Sequence, residues 1–169
     1  MRPAPSPTWS TGVLYLHSSP PALCPHVEWA VAAELGSRVC LQWTAQPSSR
    51  GNLRAEIGWQ GRCGTGGRLA AALRGWLALR YEVTEDPGPG RDGERFSVTP
   101  SLGVFRATTS ANGDILIGED RLRALLATTG SLQVSQGLDA LLGSAWDAEL
   151  EPYREGGDGA PVSFLDQVV

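Results

Sequence analysis

Both histidines of the chain, His17 and His26, and one of its three cysteines, Cys24, fall within ten positions of one another in H-S-S-P-P-A-L-C-P-H. Imidazole and thiolate hold protons, bind metals and attack electrophiles near neutral pH, so this clustering opens three kinds of chemistry. In the first, Cys24 at a helix start is a nucleophile and His17 or His26 its base, although no orienting third group is marked. In the second, His17, Cys24, His26 and the distant Cys63 form a tetrahedral zinc site. That set matches no standard ligand spacing and lacks a C-x-x-C pair. In the third, Gly64-Thr65-Gly66-Gly67 opens a helix whose free N–H groups and dipole favour an anion, with Arg62 and Arg68 as a clamp on phosphate or carboxylate. Each has a plainer counterpart: a cysteine packed as a small hydrophobe, histidines satisfied internally, and glycines that serve only the geometry of a turn.

The elements that must position these residues follow from periodicity. Residues 12–17 carry a short apolar run, Val13-Leu14-Tyr15-Leu16, and read as a buried strand. A helix follows over 25–35, started by Pro25, stopped by Gly36, with Val27, Ala30, Val31, Glu34 and Leu35 on one face. Residues 39–43 read as a strand, P-S-S-R-G-N as a hairpin loop, and 53–59 as a half-buried strand. A second helix is predicted over 66–78 with Thr65 as its N-cap, then a strand over 80–84. This order gives the fold class, α+β with a ferredoxin-like βαββαβ sandwich core. Its first and third strands are read as parallel neighbours, an arrangement that gathers His17, Cys24 and His26 at the same end as the glycine loop.

The remainder reads as a C-terminal strand pair and two extra helices. D-P-G-P-G-R-D-G-E-R is expected to be a mobile loop, residues 96–99 and 102–108 strands, and A-N-G-D a hairpin into Ile115. Residues 119–127 and 136–150 are the two helices. The domain reading is a flexible tail over 1–10 and one α+β domain over 11–169, with the apolar end of the chain docking back on it. Trp29, Trp43, Trp59 and Trp76 are expected to be packing anchors. Glu82, Glu85 and Asp86 are expected at a solvated strand end, and Arg121 and Arg123 on an exposed helix face.

Composition narrows the function. All 14 basic residues are arginine, which removes Schiff-base lysines, the Walker-type phosphate loop and the protein-kinase lysine. A net charge of −4 and a pI near 5.2 oppose a nucleic-acid partner. No apolar run reaches the ~20 residues of a membrane span, and the proline-rich start lacks an apolar signal core. An odd count of cysteines at irregular spacing points to a reducing, cytoplasmic setting. No cofactor is implied.

Several segments resemble an actinobacterial family, domain-of-unknown-function family 3145. They are G-V-L-Y-L-H-S-S-P-P-A-L-C-P-H-V-E-W-A, L-R-A-E-I-G-W-Q-G, G-T-G-G-R-L-A-A-A-L-R-G-W, T-P-S-L-G-V-F-R-A, G-D-I-L-I-G-E-D-R-L-R and W-D-A-E-L-E-P-Y-R. The resemblance covers residues 13–169 and carries no catalytic residue with it. It implies a gene encoded near those of fatty-acid-synthesis components, a neighbourhood that shows no mechanism. The expectation is therefore a non-catalytic binding or regulatory module with an anion-friendly loop. Its partner would be a protein or a small anion, an acyl carrier being the one the resemblance suggests. The alternatives are a cysteine/histidine-dependent enzyme and a small structural-zinc protein.

Overall fold

A computed structural model describes residues 9–128 and 130–155. Seven strands form one antiparallel sheet in the order β2-β3-β1-β4-β5-β6-β7. They are β1 (Trp9–Ser19), β2 (Thr44–Ala45), β3 (Leu53–Arg62), β4 (Arg80–Glu85), β5 (Gly93–Thr99), β6 (Gly103–Thr109) and β7 (Ile115–Leu116). Alternation along the strands sorts side chains onto two faces. Leu14, Leu16, Ala55, Trp59, Tyr81, Val83, Phe96 and Val98 share one face with the buried stripes of α1 (Cys24–Leu35) and α2 (Thr65–Leu73). Each large side chain fully buried there contributes roughly 1.5–3 kcal/mol. The Tyr81 hydroxyl donates to the Ala70 carbonyl at 2.7 Å, which fixes α2 against β4.

The opposite face of β4, β5 and β6 lies under α5 (Ser144–Glu155). Leu150 is fully buried there, and the Trp146 ring packs on Phe105 at a centroid distance of 5.2 Å. Two further helices, α3 (Glu119–Thr128) and α4 (Ser131–Leu142), lead into α5. The sequence reading joined α4 and α5 into one helix over 136–150. Gly143 divides them, because it takes a left-handed φ of +72° and any Cβ there would enter the Phe105 ring.

Other differences have physical reasons. The first strand begins at Trp9 and includes Ser10, which is buried, so it takes in two residues assigned to the tail. The apolar run 39–43 is not a strand. The Glu28 carboxylate accepts the Leu41 backbone N–H and the Trp43 indole N–H, each at 3.0 Å, and binds this segment to α1. The second helix ends at Leu73 instead of 78, with Arg74 as C-cap and a tight turn returning to β4. The 86–95 loop is a closed hairpin connection in which Gly88 and Arg91 exchange backbone hydrogen bonds at 2.9 Å. Trp29 is 71% exposed, since it lies two positions from both Val27 and Val31 and faces away from the core they enter. Trp59 is buried, and Trp43 and Trp76 are half-buried against the core. The expected docking of the chain end concerns residues outside those described.

Candidate functional site

The antiparallel pairing of β1 with β3 separates the residues that the sequence reading brought together. Trp9 lies opposite Arg62 and Ser19 opposite Leu53. The segment from His17 to His26 is therefore at one end of the sheet, and Arg62 to Arg68 at the other. A parallel pair would have put both loops at one end; the strands run the other way.

Cys24 and His17 also take separate partners. Cys24 opens α1, where its thiol sits 3.6 Å from the Pro20 carbonyl oxygen and 3.8 Å from Ser19 Oγ. Burial raises its pKa, and the charge of Glu28 adds to this; the contact with Ser19 opposes it. His26 is exposed, its ring edge-on to Trp29 at 5.5 Å. Cys63 is half-buried between β3 and α2. Among the described residues, no three histidine, cysteine or acidic side chains are grouped to hold a metal.

His17 instead turns to the α5 side and is 4% exposed. Its Nε2 lies 2.8 Å from Glu82 Oε2. Arg154 of α5 donates to the same carboxylate through Nε at 2.9 Å and Nη2 at 2.6 Å, and Ser97 Oγ and Arg95 Nε add donors at 2.9 and 3.2 Å. Asp147 joins Arg95 to Arg154. Burial opposes charge on Glu82, but the hydrogen bonds and charges of His17 and Arg154 outweigh it and hold the carboxyl well below its usual range. Burial likewise opposes the Arg154 cation, and the Glu82 contact reverses this and raises its pKa. Since Glu82 is a carboxylate, Nε2–H of His17 must be the donor. Beside it Tyr15 stacks on His17 with centroids 6.0 Å apart. Burial and the nearby Glu56, Glu82 and Asp86 push its hydroxyl up to about 12.

The glycine loop does hold an anion, and the anion is the chain's own. Gly64 N–H donates to Glu85 Oε1 at 2.8 Å and Gly66 N–H to Glu85 Oε2 at 2.9 Å. Glu85 is 2% exposed, and Arg91 Nη1 closes on it at 3.1 Å. A Cβ on Gly66 would lie 3.0 Å from Glu85 Cβ, so the close approach depends on glycine. Thr65, expected as the N-cap, donates to the Arg62 carbonyl and accepts from Arg68; Gly64 occupies the cap position. Arg68 also pairs with Glu34 at 3.4 Å, Gly67 packs on Phe96, and Arg62 stays exposed.

Sequence reasoning missed Glu82 and Glu85 because alternation along β4 sends them to opposite faces, each covered by a helix that the reading had not placed over it. It also missed Gln46, whose buried Nε2 donates to the carbonyls of His17 at 2.6 Å and Tyr153 at 3.2 Å and ties the hairpin loop to both. A glutamate flanked by Tyr81 and Val83 in a central strand was the available signal.

Fold and site define an α+β protein with one antiparallel sheet, whose reactive and anion-binding groups face partners within the chain. The chain belongs to the family described as "Protein of unknown function (DUF3145)", whose model matches residues 13–167. No curated protein and no solved structure matches it. Among the described residues no helix is long and apolar enough to cross a membrane.

Proposed function

We propose that the chain is a non-catalytic binding module, cytoplasmic, whose partner is a fatty-acid-synthesis component such as a phosphopantetheine-bearing acyl carrier. Three observations carry the non-catalytic part: Glu82 occupies His17 Nε2, burial raises the Cys24 thiol, and Glu85 fills the helix N-terminus. A nucleophile needs a base within reach, whereas the Cys24 thiol contacts Ser19 and the Pro20 carbonyl, His17 pairs with Glu82, and His26 sets its ring edge-on to Trp29. The family resemblance supports the partner, and three free cysteines support the reducing compartment. The ferredoxin-like arrangement belongs to the same proposal. The order β4-β1-β3-β2, with α1 and α2 packed on one face, supports it.

Calorimetric titration with a purified holo acyl carrier tests the partner, and saturable binding that weakens when the phosphopantetheine arm is removed is the expected result. No heat with either form overturns that half. Alkylation of Cys24 against pH, followed by peptide mass spectrometry, tests the other. Slow reaction at pH 7, slower than a model thiol, is expected, whereas fast reaction there marks an activated thiolate and overturns the non-catalytic reading.

A further inference from the structure

Where α2 stops, it leaves part of the sheet uncovered. The turn after it carries Trp76 and Leu77, and the β5–β6 hairpin carries Pro100 and Val104; between them lies a groove of about 440 Å³ floored by Leu79 and Val98. That size falls within the range of small-molecule sites. The rims are open to solvent, Leu77 being 77% and Val104 41% exposed.

Most polar groups of the lining are already engaged, the Trp76 indole N–H being the neutral side-chain donor without a partner among the described residues. Thr99 Oγ1 donates to Glu149 at 3.0 Å and accepts the Leu102 N–H at 3.1 Å. The Gly103 carbonyl accepts the Trp146 indole N–H at 3.0 Å. Among the described lining residues Arg74 is the one charged group, and it makes no ion pair with any described residue. A ligand seated here therefore meets apolar carbon along its body and a single cation at one edge. A second charge, or a positive one, would go uncompensated, and a polar body would lose hydrogen bonds to water with only the Trp76 indole N–H to replace them.

We infer that this groove binds a monoanionic amphiphile, an apolar body ending in one carboxylate that pairs with Arg74. The inference rests on the binding-module reading and not on the identity of the protein partner. Leu77 and Val104 supply the walls and Arg74 the orientation.

The test is a titration of the full chain with laurate and dodecyltrimethylammonium below their micelle-forming concentrations and with dodecanol below its solubility limit, followed by backbone amide and tryptophan indole NMR shifts. Laurate is expected to move the signals of Trp76, Leu77, Val98 and Val104 and to bind more tightly than the other two. Arg74→Ala should weaken laurate about 3- to 5-fold, the scale of one exposed ion pair, and leave dodecanol unchanged. Val104→Asp should abolish both; because that side chain is exposed, an unchanged melting temperature shows that the fold survives. If Val104→Asp unfolds the chain, Leu77→Asp, at the more exposed wall, carries the same expectation. Shifts confined to other residues, equal binding of the cationic probe, or laurate affinity indifferent to Arg74 and Val104 overturn the inference. Carrier binding with no laurate binding also overturns it, while leaving the proposed function standing.

Discussion

Glu82 shows how one residue type can mean opposite things in sequence and in structure. In R-Y-E-V-T-E it is expected at a solvated strand end. In the fold it lies within β4, on the face away from Tyr81 and Val83, and is buried under α5. Placing an ionised carboxylate there costs several kcal/mol of hydration, which His17, Ser97, Arg95 and Arg154 must offset. Glu82→Gln, which keeps the shape and presents an amide to these donors, should destabilise the chain by about 3 kcal/mol at pH 7, measured by urea unfolding. The pH dependence has a definite sign. The folded pKa lies below the ordinary 4.5, so the contribution is complete above that pH and is lost as acid approaches the depressed value. The gap between wild type and Glu82→Gln should therefore shrink at pH 3. Superimposable unfolding curves at pH 7 would show that the network contributes nothing net.

At the scale of elements, Glu85 is to α2 what an N-cap side chain is to an ordinary helix, except that it comes from a neighbouring strand. Glu85→Ala would leave the Gly64 and Gly66 N–H groups and the Arg91 guanidinium facing an empty space, at a cost of about 2–3 kcal/mol. The vacated position is then a small anion site of backbone donors and one arginine. Sulfate or phosphate should raise the melting temperature of Glu85→Ala by more than it raises that of the wild type, the wild-type shift measuring the general salt effect. Equal shifts in the two proteins would remove the claim that an anion can replace the carboxylate. The sequence reading offered this loop to an external anion, since Gly64, Gly66 and the helix start carry that signal locally, and in the fold Glu85 accepts from it. It could not name the anion, because Glu85 is 19 residues from Gly66 and reaches it only through the order of the sheet. Elements set by local pattern were legible: α1 from its 3/4 spacing and Gly36, β3 from alternation, the Asn112-Gly113 hairpin from its turn residues. Those decided by distant contacts were not. Residues 39–43 are strand-like in composition and are held as irregular chain by Glu28, and α4 and α5 part at Gly143 because Phe105 fills the space beside it.

For the molecule as a whole, the sheet separates two halves held together by different forces. On the α1–α2 side the contacts are mainly apolar, the Glu85 carboxylate at the start of α2 being the buried exception. On the other side α5 is fastened by Leu150, the Trp146–Phe105 contact and the neutral hydrogen bonds of Trp146 with Gly103 and Gln46 with Tyr153, and for the rest by charged groups: Arg154 and Arg95 with Glu82 and Asp147, Glu149 with Arg80, Thr99 and Ser101. His17 and Glu82 face it from β1 and β4, and Tyr153 lies under the Arg80 guanidinium at 4.7 Å. Leu150→Ala should cost about 2–5 kcal/mol by removing the apolar part of this attachment. The ionic part depends on carboxylates staying charged, so acid should loosen α5 before it disturbs the apolar half. Native-state hydrogen exchange can resolve this amide by amide. As pH falls from 7 to 3, and after correction for intrinsic exchange, Leu150 and Tyr153 should lose protection while Tyr81 and Val83 of β4 keep theirs. Glu82→Gln should show the loosened α5 already at pH 7. If α5 and β4 amides lose protection together at every pH, and Glu82→Gln moves both equally, the two faces form one cooperative unit, and the ion network is a part of the core like any other.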